Sequence, residues 1–382
     1  MTDVIRRYAW ALVATFATIA CGDLQPAADA TVAHDAAEPD GTAADASVAD
    51  AGVRDDAAAG DAAVPPSTVH RAIVNLRPAF TDFSDLEPWI EGISHIRVWG
   101  GSRGMATYPT EEAVPLVLLP TPNLYSVVQD SEIDAILALQ RLRGVRVVYA
   151  VNINDTLDNQ RAFVVRLLTA GVDLAMLEMG NEIYLTKYRS GDTSALGVTR
   201  VWTKEQYVDE ILDVWIPSFA DFDLPMYIVA ASHGGGTTPG DAIRIAWNET
   251  LRTALVTRPD RVDGVTFHRY AGVGTANPFE EEISSADFAF LGTFGDLPIA
   301  VTESGYYFAT PSEEALDAAA AFWSAFRAAL KPSDLFGVHL MYLRPGATGG
   351  SDSGSDSALA LYDEHGRTAV GDRFDRWLTT GE

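Results

Sequence analysis

Cysteine is almost absent. Cys21 is the only one in 382 residues, so disulfides and thiolate metal sites are excluded from the rest of the chain. Bases are scarce as well: 27 Lys and Arg stand against 53 Asp and Glu, for a formal net charge of −26. A phosphate-binding surface needs clustered positive charge, so nucleic acid is not an expected partner. No Gly-x-Gly-x-x-Gly turn follows a strand pattern and no His-Glu-x-x-His occurs, which leaves dinucleotide and zinc-protease chemistry without a motif. Neither a cofactor nor a metal is expected. The apolar stretch from Tyr8 to Ala20 falls short of the about 20 residues that a membrane-spanning helix needs.

That stretch follows Arg6 and Arg7 and runs into Cys21, the basic and apolar regions of a secretory signal over residues 1–21. Cys21, preceded by Thr18-Ile19-Ala20 and followed by Gly22, resembles the lipobox of bacterial lipoproteins. The resemblance implies lipidation of Cys21 and an extracytoplasmic location on a bacterial membrane; plain secretion is the alternative. Residues 22–66 are dominated by Ala and Asp, with ten acids against the single base Arg54 and no aromatic residue. A segment of this kind cannot bury enough apolar surface to offset its ordering entropy, so a disordered tether is expected there.

The remaining residues, 67–382, alternate short apolar runs with amphipathic stretches, the pattern of βα repeats around a parallel sheet. Strands are expected at 72–76, 95–99, 146–151, 173–179, 226–231, 264–268, 298–302 and 337–342. Helices are expected at 83–93, 131–143 (N-cap Ser131, C-terminal Gly144), 204–220, 241–256, 313–330 and 372–378. Eight strands with helices between them predict an α/β fold, a single (β/α)8 TIM barrel. A long excursion, 100–130, separates the second strand from the third.

Two strands end in glutamate. Leu177-Glu178-Met179-Gly180-Asn181-Glu182 closes the fourth, and Val301-Thr302-Glu303-Ser304-Gly305 closes the seventh. In such a barrel the C-terminal strand ends carry the chemistry, and strands four and seven face each other across the mouth. Two carboxyls so placed meet the needs of glycosidic cleavage, where one protonates the leaving oxygen and the other attacks or stabilises the anomeric carbon.

On the Asn181-Glu182 pair and Glu303, the chain from 72 to about 378 resembles the clan A glycoside hydrolases. The Gly-Asn-Glu run is most similar to branches acting on plant or matrix polysaccharides and on aryl or uronic glycosides. The resemblance implies Glu182 as acid/base and Glu303 as nucleophile of a retaining enzyme, and a carbohydrate substrate. It further implies that Asn181 binds a sugar hydroxyl, that Arg97 pairs with Glu303, and that His268 and Tyr270 hold the nucleophile or the sugar. His233 is a candidate substrate contact in its Gly-rich loop, and Asn152 and Asn154 are weaker cleft candidates. Trp99, Tyr184, Tyr306 and Tyr342 lie near the expected mouth as stacking faces for sugar rings. The clan often places Trp at the end of strand eight, where this chain has Tyr342. That departure leaves a non-catalytic carbohydrate-binding barrel as an alternative. A third reading is a barrel enzyme of unrelated chemistry, such as a metal-dependent hydrolase.

Overall fold

Strand and helix alternate as the hydrophobic pattern requires. The computed structural model describes residues 72–76, 93–101, 105–116, 118–119, 125–185, 200–233, 239–273, 285–308, 312–338, 362–363 and 366–380. The expected helix at 83–93 lies outside them except for Ile93, which opens a strand instead; the segment 1–66 with Cys21, and Tyr342, also lie outside them. Among the described residues the barrel strands are β1 (Ala72–Leu76), β2 (Ile93–Val98), β3 (Arg146–Ala150) and β4 (Leu174–Met179). They continue with β5 (Met226–Val229), β6 (Gly264–Val273), β7 (Ile299–Phe308) and β8 (Leu335–Val338). All pair in parallel in the order β1-β8-β7-β6-β5-β4-β3-β2, and β1 closes on β2. The result is a (β/α)8 barrel.

All eight expected strands are present, with boundary differences. β8 starts at Leu335 rather than 337, because Leu335 and Phe336 already pair with Ala300 and Val301 of β7. β6 and β7 run five and six residues past their expected ends, paired with each other along that length.

The helices are α1 (Asp130–Arg143), α2 (Leu157–Ala170), α3 (Lys204–Glu210), α4 (Ile216–Phe219), α5 (Pro239–Thr257), α6 (Glu313–Ala329) and α7 (Ala369–Thr380). Gln129, not Ser131, caps α1, since the Glu132 carboxylate reaches back to the Gln129 N–H at 2.8 Å. Gly144 ends the same helix as expected, at φ 65°. The single helix expected at 204–220 is interrupted by a π-turn, Ile211–Trp215. Pro217 follows it and has no N–H for the i−4 carbonyl, so the backbone widens and Ile216 N–H bonds Ile211 O instead.

Two apolar layers form. Val148, Met176 and Ala300 pack together with Tyr227 and Leu335. Side chains from β3, β4, β5, β7 and β8 meet in this way only inside the barrel, so these five mark its interior. The larger cluster, from Ile96 through Phe163, Trp247, Phe267 and Trp323 to Trp377, packs the outward strand faces against the helices. Strand side chains repeat every two residues, so Glu178, two beyond Met176, and Thr302, two beyond Ala300, belong to the next interior level toward the C-terminal mouth.

The excursion after β2 is tied down. Its two-residue strands Thr107–Tyr108 and Ser126–Val127 pair in parallel, and Tyr108, Val114 and Leu118 form a small core of their own. Asn152 donates to Thr107 O at 3.0 Å and Asn154 to Met105 O at 3.1 Å. These two side chains, expected as cleft candidates, are therefore bound to backbone and hold the excursion on the end of β3.

Candidate active site

The level above the apolar interior is polar and charged. Arg97 of β2 stands at its centre, fully buried. Its Nε donates to Glu178 Oε2 at 2.5 Å, its Nη1 to Glu303 Oε1, and its Nη2 to Asn181 Oδ1 at 2.8 Å. The planar guanidinium fork suits this use, since it offers several donors in fixed directions. Gly100 lets it sit there: a Cβ at Gly100 would meet Arg97 Nη1 at 2.2 Å.

His268 of β6 lies on the other side of the same carboxylates. Its Nε2 is 2.9 Å from Thr302 Oγ1 and 3.4 Å from Glu178 Oε1. Its Nδ1 is 3.3 Å from Glu182 Oε1 and 3.6 Å from Glu303 Oε2. Consecutive strand residues normally point to opposite faces, yet Thr302 and Glu303 both reach His268. The register of β6 against β7 slips by one residue between Phe267 and His268, and such a bulge re-aims side chains. Tyr270, two residues on, donates its hydroxyl to Glu303 Oε2 at 2.7 Å. Glu303 thus accepts from Arg97 on one oxygen and from Tyr270 on the other.

Glu182 follows β4 with φ at 47°. A side chain in the left-handed region costs about 1–2 kcal/mol, and strain of this kind gathers where a group must be aimed. The conformation turns the Glu182 carboxyl back over the mouth, 18% exposed against 5% for Glu303. Asn181 is fully buried; its Oδ1 also accepts from Gly101 N at 3.0 Å, while its Nδ2 has no hydrogen-bond partner.

Charge follows from these contacts. Burial opposes the charge on Arg97, but Glu178 and Glu303 outweigh it and hold the guanidinium above its ordinary range. Burial would likewise raise Glu178; Arg97 first, then the bond to His268, the imidazole's charge and the Thr302 hydroxyl, hold it below the usual carboxylate value. For His268, burial favours the neutral ring. The charge of Glu303, with the neighbouring Glu178 and Glu182 carboxylates, reverses this against Arg97 and pushes the imidazole up to about 9. His268 is therefore a cation at neutral pH.

Glu182, His268 and Glu303 each bring a ligating atom within 4.8 Å of the others, a spacing at which one cation can be shared. The imidazolium, and the guanidinium bound to Glu303, supply positive charge at that place from the chain itself.

The remaining expected residues fall elsewhere. Trp99 is only 2% exposed and lies edge-on to Tyr149 and Phe163, so it offers no face to a sugar and is corrected to a core residue. Tyr184 and Tyr306 are buried too, packed against Trp247 and Phe322. His233 is half-buried with its ring 6.0 Å from Phe290. Sequence reading assigned nothing to Glu178 or Thr302. The available signal was a lone acid inside the apolar strand Leu174–Met179, since a buried charge must have a partner.

The chain matches no protein-family model and no curated protein sequence. Solved structures do resemble it. An endo-beta1,6-glucanase superposes with a TM-score of 0.53 at 10% identity, covering 82% of this chain and 76% of the other. An endo-1,4-beta-xylanase of Penicillium canescens gives 0.52 at 15% identity, over 81% and 93%. Xylanase 10B of Thermotoga maritima gives 0.52 at 12%, over 82% and 96%. These enzymes share its barrel fold.

Proposed function

We propose that the chain is a retaining glycoside hydrolase acting on an oligo- or polysaccharide, with Glu182 as acid/base and Glu303 as nucleophile. The observation that carries the reading is the approach of the two carboxyls. One oxygen of Glu182 and one of Glu303 lie within 4.8 Å of each other, compatible with the about 5–5.5 Å between carboxyl groups in retaining enzymes.

The surroundings divide the labour. Glu303 is held by Arg97 and Tyr270, two donors that favour its ionised form and aim it as a nucleophile. Glu182 is the more exposed, where a leaving group can receive its proton. In the first step Glu303 bonds to the anomeric carbon as the glycosidic C–O bond breaks and the Glu182 proton passes to the leaving oxygen. In the second, Glu182 takes a proton from water, the water oxygen bonds to the anomeric carbon, and Glu303 is released. Three carboxyls (Glu178, Glu182 and Glu303) face two cations (Arg97 and His268). The buried, unpartnered Asn181 Nδ2 is a ready donor to a sugar hydroxyl beside the scissile bond. The glucanase and xylanases that share the fold are named for hydrolysis of β-linked glycans, which supports that substrate class here.

The test incubates the full-length chain with a panel of aryl glycosides and polysaccharides, beside Glu182→Gln and Glu303→Gln. Turnover is expected in the parent alone, with azide restoring reaction of activated substrates in Glu303→Gly. Equal turnover in both Gln variants would refute the assignment, and glycan binding without turnover would favour the carbohydrate-binding barrel. Lipid anchoring at Cys21 belongs to the same proposal; incorporation of labelled fatty acid in a bacterial host, lost in Cys21→Ser, is its check.

A further inference from the structure

Glu178 is a third carboxylate in this cluster, with no exposed side-chain surface. Its Oε2 receives Arg97 Nε at 2.5 Å, and its Oε1 receives the Thr302 hydroxyl at 2.6 Å. An ionised carboxylate can only accept, so the single Thr302 proton points to Glu178. Thr302 Oγ1 then has only lone pairs for its second neighbour, His268 Nε2, 2.9 Å away. Nε2 must therefore carry a hydrogen and donate it. The imidazole is left with one nitrogen that can titrate. That atom, Nδ1, lies 3.3 Å from Glu182 Oε1 and 3.6 Å from Glu303 Oε2.

Resting on the glycosidase reading, we propose that Glu178 is a positioning residue: through Thr302 it fixes the tautomer and orientation of His268, so that the Nδ1 edge of the imidazolium lies beside both catalytic carboxyls without a hydrogen bond to either. When the Glu182 proton has gone to the leaving oxygen, the new carboxylate finds Nδ1–H beside it, and the imidazolium steadies the glycosyl-enzyme stage without itself exchanging a proton. The charged groups that face the ring come from several elements. Arg97 is on β2, Glu178 on β4, Glu182 just after β4 and Glu303 on β7. Of these groups Arg97 opposes the imidazolium, as burial does, and it is itself bound to Glu178 and Glu303. From the end of β5, the Ser232 hydroxyl donates to the His268 carbonyl and anchors the backbone. A purely packing role for Glu178 would leave the protonation of His268 alone, and this separates the two accounts.

The experiment is nuclear magnetic resonance of the full-length chain labelled with 13C,15N-histidine, with the His268 signal assigned by its loss in His268→Gln. In the parent, Nε2 should stay protonated throughout, with Nδ1 titrating at a midpoint of about 9. In Glu178→Gln the midpoint should fall by about one pH unit or more, the effect of removing an adjacent opposite charge. The alkaline limb of kcat/KM should move down with it. Thr302→Val, which keeps the Arg97–Glu178 pair, should give a mixture of neutral tautomers above the midpoint. An unmoved midpoint in Glu178→Gln, with kcat/KM lowered equally at every pH, would overturn the proposal. So would a single Nε2–H tautomer in Thr302→Val, which decides the matter should Glu178→Gln fail to fold. A parent chain without glycosidase turnover but with these titration shifts would overturn the functional reading alone and leave the positioning geometry standing.

Discussion

Gly100→Ala tests how tightly the charged level is built. The glycine is not in the left-handed region, so alanine is compatible with its backbone, and the obstacle is a side chain. The new Cβ would lie 2.2 Å from Arg97 Nη1, 2.5 Å from Cζ and 3.0 Å from Nε. Reaching ordinary contact, 3.4 Å or more, moves the guanidinium by over 1 Å. Arg97 has no slack, being bonded at once to Glu178, Glu303 and Asn181. At least one of these bonds must break, and a buried ion pair broken on one side costs about 3–5 kcal/mol. Where the bond lost is that from Nη1, one of the two donors on Glu303 goes with it, and on the proposed function a misplacement of about 1 Å at the nucleophile lowers turnover roughly 100-fold. Urea unfolding and kcat/KM on the best aryl glycoside measure the two effects. Gly144→Ala is the control. It stands at φ 65° with nothing within 4 Å of its Cβ, so it should cost about 1–2 kcal/mol from backbone conformation alone, with kcat/KM unchanged. Indistinguishable behaviour of the two variants would refute the argument that space beside Arg97 is what requires glycine.

His268 makes stability depend on pH. Its folded value of about 9 lies above the ordinary 6.5, so its ionic contacts stabilise the fold fully below pH 6.5 and fade as pH rises through 9. The shift corresponds to roughly 3 kcal/mol, and the stability gap between parent and His268→Gln should shrink by about that much from pH 6 to pH 10. A gap independent of pH would refute the charged assignment. Tyr270→Phe removes the 2.7 Å bond to Glu303 Oε2 and leaves the ring; kcat/KM should fall roughly 10- to 100-fold, and unfolding should shift by only about 1 kcal/mol. Loss of folding with no separate loss of turnover would count against its place on the proposed nucleophile.

The barrel was legible because its determinants are local. Each strand is a short apolar run and each helix an amphipathic one, with marks such as Gly144 at a helix end, and repetition of the unit eight times leaves few other architectures. Boundaries were read less well where pairing overrides pattern. The extensions of β6 and β7 exist because each supplies the other's hydrogen bonds, and the break before α4 depends on what Pro217 does to an otherwise regular helical pattern.

Glu182 and Glu303 were also visible, as acids ending apolar runs. Trp99 shows the limit of that reasoning. Its position near a strand end suggested a sugar platform, but φ at 50° and the rings of Tyr149 and Phe163 place it in the core. Asn152 and Asn154 show the same limit, since the backbone atoms they bond lie 45 and 49 residues away.

By itself, then, the sequence determined the repeating βα pattern, the acidic composition and the two glutamates at strand ends, all properties of neighbouring residues. Only the tertiary structure decided that Glu178, Arg97, Thr302 and His268 form one charged level beneath those glutamates. These four come from β4, β2, β7 and β6, separated by 34 to 124 residues where they touch. A buried charge is tolerable only with its partners in place, and closure of the barrel is what brings them together.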